Sequence, residues 1–275
     1  MFKLSVSMVG IVLSAFLFGG VTHGQTGTFL SGNSHPLKIE RILDYKKSGA
    51  ERTAIEVGEL AVDGHLTLTG YPQERLYYFL EGRGIMSIYE AAPAGDVYEV
   101  RQDVSIYMTP GIKHEIINIG STPLRYVVFL VRGGIGPDRE GGLTWGAVTQ
   151  RGITVDKPVV GAGVAVTKVF DEGSNPSEPE GMHLLIRDIW LRRPQKFSNA
   201  EVLTVAPGRS TRLHNHTDSS ETAYILYGEG NFIWDNRMIP FKAGDAISYP
   251  IGVMRRVENT GEFPMSYVVI SAFID

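Results

Sequence analysis

The sequence predicts an all-β chain folded as two antiparallel barrels, and three observations carry that reading. Short runs rich in β-branched and aromatic residues recur along the chain, each bounded by Gly, Pro or charged turn residues. No segment shows the sustained 3.6-residue periodicity of an amphipathic helix. The two halves also repeat one another. Leu76–Gly84 (LYYFLEGRG) matches Thr222–Gly230 (TAYILYGEG), and Pro110–His114 with Asn118-Ile119-Gly120 matches Pro250–Arg255 with Asn259-Thr260-Gly261. A repeat of this size marks duplication of a whole folding unit.

Taken in order, residues 1–24 hold Lys3, an apolar run from Met8 to Phe18, and small residues leading to Thr22-His23-Gly24. That is the layout of a secretory signal peptide cleaved before Gln25. The run is shorter than the roughly 20 residues a membrane span needs, and no later segment qualifies. The mature chain is therefore expected in a secreted or periplasmic setting, with no membrane partner. Gln25–His35 is polar and Gly-rich and reads as a flexible lead-in.

The N-terminal barrel is expected over residues 36–132, with strands Thr53–Leu60, Leu76–Leu80, Ile85–Tyr89, Val104–Met108 and Tyr126–Val131. Gly133–Gly142 (GGIGPDREGG) is the candidate linker. The C-terminal barrel is expected over residues 143–275. Its strands are His183–Trp190, Glu201–Val205, Tyr224–Leu226, Asn231–Ile233, Ala246–Tyr249 and Tyr267–Phe273, after a surface loop at Asp171–Gly181.

Composition narrows the partners. Hydrophobic residues make up 43% and charged residues 20%, which suits a packed globular chain. The formal net charge of −4 points to no nucleic-acid partner. Cysteine is absent, which excludes disulfides, thiolate ligands and cysteine nucleophiles. A small-molecule ligand or substrate is the expected partner, and the chain is read as a monomer or a homo-oligomer.

One motif carries chemistry. Gly208 is followed after five residues by His214-Asn215-His216, after four more by Glu221, and after six more by Gly228. Gly244, Pro250, Gly252, Arg255 and Asn259 follow at regular offsets. Alternate residues of a strand share a face, so His214 and His216 can both aim into a barrel. Thr217–Ser220 is short enough to turn the chain back and bring Glu221 to the same space. Two imidazoles and a carboxylate suit one divalent transition metal (Fe, Mn, Zn, Ni or Co) better than Mg or Ca.

The motif resembles the two-part signature of the cupin superfamily, and the duplication resembles a bicupin. Every position of the first part matches, while Arg255 stands where the family has its last histidine. The resemblance implies two jelly-roll barrels (double-stranded β-helices) and allows Val164–Phe170 to pair with the first barrel. A guanidinium does not ligate metal. Two roles are open for Arg255: gripping a substrate carboxylate beside the metal, or pairing with Glu221. Arg256 is expected on the opposite face of that strand.

In the first copy Leu68, Gly70 and Arg75 occupy the positions of His214, His216 and Glu221, and only His114 is of ligand type. That barrel is read as metal-free, either structural or holding a ligand pocket lined by Arg75, Tyr77 and His114.

The family resemblance implies a metal-dependent enzyme on a small polar or anionic metabolite, with Arg255 and Glu221 as catalytic candidates. One branch is dioxygenase-like or oxalate-oxidising and decarboxylating chemistry. The other is lyase, isomerase or aminohydrolase chemistry: ureidoglycine aminohydrolases are bicupins with one metal barrel, and Gln73-Glu74-Arg75-Leu76 is loosely similar to their first barrel. The competing class is a non-catalytic protein that binds a sugar, an anion or the metal, with Trp190, Trp234 or Tyr224 as stacking candidates.

Overall fold

The computed structural model describes residues 25–26, 37–45, 52–69, 71–89, 96–133, 147–150, 159–160, 165–168, 180–186 and 196–273. All regular elements among them are strands. The N-terminal half contributes β1 (Gln25–Thr26), β2 (Leu37–Leu43), β3 (Thr53–Leu60), β4 (His65–Leu68), β5 (Glu74–Glu81), β6 (Arg83–Tyr89), β7 (Asp96–Arg101), β8 (Val104–Met108), β9 (Lys113–Asn118) and β10 (Leu124–Val131). The middle of the chain supplies β11 (Ala147–Gln150), β12 (Val159–Val160) and β13 (Ala165–Lys168). The C-terminal half contributes β14 (Glu180–Ile186), β15 (Phe197–Val205), β16 (Ser219–Tyr227), β17 (Glu229–Trp234), β18 (Arg237–Lys242), β19 (Ala246–Tyr249), β20 (Arg255–Asn259) and β21 (Met265–Phe273).

Each half is a two-sheet barrel. In the first, a large sheet ordered β1-β2-β3-β10-β5-β8-β11-β13-β12 packs on a small one, β4-β9-β6-β7. In the second, β14-β15-β21-β16-β19 packs on β18-β17-β20. The central strands of the large sheets are buried on both faces. In β10, Tyr126, Val128 and Leu130 face the first barrel's interior, while Val127, Phe129 and Val131 face away from it. In β21, Tyr267 and Val269 face the second interior, while Val268, Ile270 and Ala272 face away. The outward sets meet in one shared core between the barrels, with Leu76, Tyr78 and Tyr107 from one side and Val202 and Tyr224 from the other. Strands buried on both faces read as unbroken apolar runs, and strands with one solvated face alternate. The contrast between VVFLV in β10 and the alternating burial of β6 and β17 has that cause.

The duplication is visible in detail. Asn118 donates to the carbonyls of Leu60, Ala61 and Thr122 and accepts from the Gly120 amide. Asn259 donates to Val205 and Phe263 and accepts from Gly261. Gly82 and Gly228 both sit at positive φ, 86° and 87°. A Cβ there would lie 2.6 Å from the Pro123 carbonyl or 2.8 Å from the Met265 Cα, so both copies require glycine.

Several expectations on the chain's organisation meet the structure here. Ala165–Lys168 does join the first barrel's sheet, through β11, which pairs antiparallel with the otherwise open edge of β8. Three strands from the span assigned to the C-terminal barrel thus complete the N-terminal sheet, because an edge left bare would strand its backbone groups. Gln25–Thr26, read as lead-in, pairs with β2. β14 begins at Glu180, inside the segment read as loop. Residues 1–24, the linker from Gly134 onward, and Trp190 lie outside the described residues.

Candidate metal centre

The site forms where the two sheets of the C-terminal barrel face each other. β16 is apolar on both faces except at its start, where Glu221 points inward with Ala223 and Ile225. In register beside it lie Tyr249 of β19 and Ser271 of β21. From the small sheet, Arg255 enters the same interior on the face of Val257 and Asn259. The expectation that the two histidines ride a regular strand is corrected. His214 makes a single isolated bridge with Arg255, through paired backbone bonds of 3.1 and 2.9 Å, and the chain around it is irregular. The His216 carbonyl is fixed by the Gly252 amide at 2.8 Å, so the second part of the motif, through Gly252 and Arg255, holds the histidine segment.

His214, His216 and Glu221 each offer one ligand atom, and these lie within 4.8 Å of one another. His216 Nε2 is 3.1 Å from Glu221 Oε1, already close to the spacing of neighbouring ligands on one ion. The His214 ring is exposed, so it is the group able to close in. Its Nδ1 lies 2.8 Å from the Arg212 carbonyl. A proton donated there leaves Nε2 with its lone pair available to a metal. The donor set fits a divalent transition ion held on one face.

Arg255 resolves into the second of its two open roles. Its Nη2 and Nε donate to Glu221 Oε2 at 2.6 and 3.0 Å, and the residue is only 1% exposed. The Tyr249 ring lies 4.9 Å from the guanidinium carbon and covers it, while the Ser271 hydroxyl donates to Glu221 Oε1 at 3.3 Å. Burial pushes the Glu221 carboxyl up, but His216 and Arg255 outweigh it and hold it down at about 2. Burial, with the Glu221 charge beside it, pushes the Tyr249 phenol well above its usual value, so it stays protonated. Arg256 turns to the outer face and pairs with Glu258 at 2.6 Å.

A cavity of about 200 Å³ opens beside these groups, lined further by Asn199, Glu201, Thr211 and Tyr267. Sequence reasoning missed Tyr249, Ser271 and Glu201. Strand register brings each of them in and no local motif marks them: Tyr249 and Ser271 flank Glu221, and Glu201 lies opposite Val269. Trp234 and Tyr224, considered for sugar stacking, are buried in the second core and in the core between the barrels.

The first barrel's trio is also assembled. Arg75 Nη1 donates to the Tyr77 hydroxyl at 3.0 Å, and that oxygen is 2.8 Å from His114 Nε2. His114 Nδ1 lies 3.2 Å from the Ile112 carbonyl, so both ring nitrogens are engaged. Burial, aided by Arg75, lowers its pKa to about 3, and the imidazole is neutral.

A family model for the cupin domain matches residues 201–271, the span from β15 to β21. An oxalate-binding protein from Thermotoga maritima is 32% identical over 93 residues, which are 34% of this chain and 74% of that protein. The chain belongs to the cupin superfamily. Among solved structures, a deletion mutant of oxalate decarboxylase from Bacillus subtilis superposes with a TM-score of 0.67 at 14% identity, over 92% of this chain and 75% of that one. Protein Ylba from E. coli matches with a TM-score of 0.59 at 18% identity, covering 92% and 93%. Those two likenesses span both barrels, and the chain is a bicupin. The Bacillus subtilis enzyme carries Mn(II) centres.

Proposed function

We propose that this bicupin is an exported metalloenzyme of the oxidoreductase or decarboxylase kind. Its C-terminal barrel would hold one divalent transition metal on His214, His216 and Glu221 and take a small carboxylate. The observation that carries this is the convergence of the three ligand atoms within 4.8 Å, against a cavity of about 200 Å³. That volume suits an anion of a few heavy atoms, and the names of the oxalate-binding relative and the oxalate decarboxylase neighbour support the same class. The ion, when bound, supplies Lewis acidity or redox chemistry. Arg255 balances the charge of Glu221 and holds that carboxylate in place beside the histidines. Glu201 lines the cavity and is placed to take or give a proton there. Export is supported by the layout of residues 1–24.

A second reading has its own observation. The Thermotoga maritima relative is named for binding oxalate, which favours a non-catalytic anion-binding protein. One experiment separates the two. The protein is reconstituted with Mn(II) or Fe(II), and metal content, oxalate affinity, dioxygen uptake and carbon dioxide release are measured beside a His216→Ala variant. The enzyme reading expects about one equivalent of metal and turnover, both lost in the variant. Loss of a direct ligand should weaken the metal by more than the roughly 10- to 100-fold typical of outer-shell changes. Saturable oxalate binding without turnover would leave the binding reading. Unchanged metal content in the variant would remove the proposed metal centre and the enzyme reading with it.

A further inference from the structure

The first barrel contains a buried cation that the metal centre does not explain. Arg75 is 5% exposed, and no carboxylate among the described residues pairs with it. Its Nη1 is used by the Tyr77 hydroxyl, and the Tyr71 ring covers its face at 3.6 Å. Its Nε is shielded from solvent and makes no hydrogen bond. On the neighbouring strands its register partners are Met108 and Leu130, which offer nothing polar. A guanidinium in such surroundings is largely cut off from bulk water without gaining a counter-charge, an arrangement that an anion reaching it from the cavity would complete.

Arg75 also lines a cavity of about 470 Å³, more than twice that of the C-terminal site. Its walls are largely apolar, including Leu66, Leu68, Tyr126, Val128 and Leu130. Two other charged groups line it, Arg41 and Glu56, and these pair with each other. His114, in contact with Tyr77, is neutral. The net charge offered to a guest is therefore the single positive charge of Arg75.

We propose that the N-terminal barrel is a metal-independent binding site for an organic carboxylate with an apolar body, whose carboxylate pairs with Arg75. The Tyr77 hydroxyl and the Tyr71 ring hold the guanidinium in place, and the apolar walls receive the rest of the molecule. This differs in class from the small anion of the metal centre: the site selects size and hydrophobicity as well as charge.

Benzoate is the probe, with benzamide as its neutral counterpart of the same shape. Titration calorimetry uses the full chain in the His216→Ala background with chelator present, so the metal centre takes no part. Benzoate should bind saturably, and benzamide at least tenfold more weakly. Arg75→Leu should lose at least tenfold in benzoate affinity. If that variant does not fold, Arg75→Lys keeps the charge but loses the planar fork and should still lose affinity. A benzoate soak of crystals should place the carboxylate against Arg75. No benzoate binding, equal binding of benzamide, or affinity unchanged on substituting Arg75 would overturn the proposal. None of these outcomes bears on whether the second barrel holds a metal.

Discussion

The two barrels are the same frame with the charges moved. Leu68 pairs with His114 in the first as His214 pairs with Arg255 in the second. Arg75 lies between Met108 and Leu130, where Glu221 lies between Tyr249 and Ser271. Glu56 stands opposite Val128 as Glu201 stands opposite Val269. The asparagine clasps and turn glycines are kept in both copies, because they satisfy backbone groups and shape turns whatever the barrel holds. What differs is which inward position carries the cation. Placing it on the small sheet, at Arg255, leaves the large sheet free to present a carboxylate. Placing it on the large sheet, at Arg75, puts a guanidinium where a ligand would sit.

The largest effect that tests this contrast comes from Arg255→Met. In the metal-free chain Glu221 would keep its burial and lose its main cation. Breaking one side of a buried pair typically costs about 3–5 kcal/mol. A bound divalent ion would replace the missing positive charge, so metal should raise the variant's Tm by more than it raises the parent's. Thermal melts with and without Mn(II) check this. A metal-free variant as stable as the parent, or a metal shift no larger, would mean that Arg255 is not what balances Glu221.

The fold was legible because both sheet types announce themselves, continuous apolar runs in β5, β10 and β21 and alternation in β6, β9 and β17. The ligand trio was legible because His214, His216 and Glu221 lie within eight residues and their offsets are local. Tyr249 and Ser271 were not, since they reach Glu221 only through pairing with strands distant in sequence. The choice between roles for Arg255 was closed to sequence for the same reason: direction across a barrel depends on how two sheets pack. That no carboxylate among the described residues pairs with Arg75 likewise depends on its neighbours Met108 and Leu130, which no local motif contains.

Acid should separate the barrels next. His114 has its pKa lowered to about 3 from an ordinary 6.5, so below pH 6.5 the unfolded chain takes up a proton that the folded one refuses. Stability therefore falls as pH drops from 6.5 towards 3, by at most about 1.4 kcal/mol per pH unit for this group. Glu221 is depressed to about 2 from 4.5, so its contribution is intact above 4.5 and is lost only as pH falls towards 2. Hydrogen exchange resolved by segment should show the first barrel loosening in the pH 6.5–4.5 window while the second holds. Replacing His114 with Gln should flatten the first barrel's response. Parallel loss in both barrels, with or without that replacement, would place the acid sensitivity elsewhere.

The smallest effect bears on the finest difference, the hydroxyl that Ser271 offers where the first copy has Leu130. Ser271→Ala removes one bond of 3.3 Å to Glu221 Oε1, but that carboxylate keeps Arg255 and His216. With no buried group left unsatisfied, the cost should be about 1 kcal/mol or less. Metal affinity should accordingly weaken by no more than about fivefold, as titration calorimetry would read. Ser271→Leu, which installs the first barrel's residue, should do more. The added bulk lies directly beside Glu221 and would turn it from the histidines. If alanine alone abolished metal binding, the hydroxyl would be a ligand in its own right, and the centre would comprise four side chains rather than three.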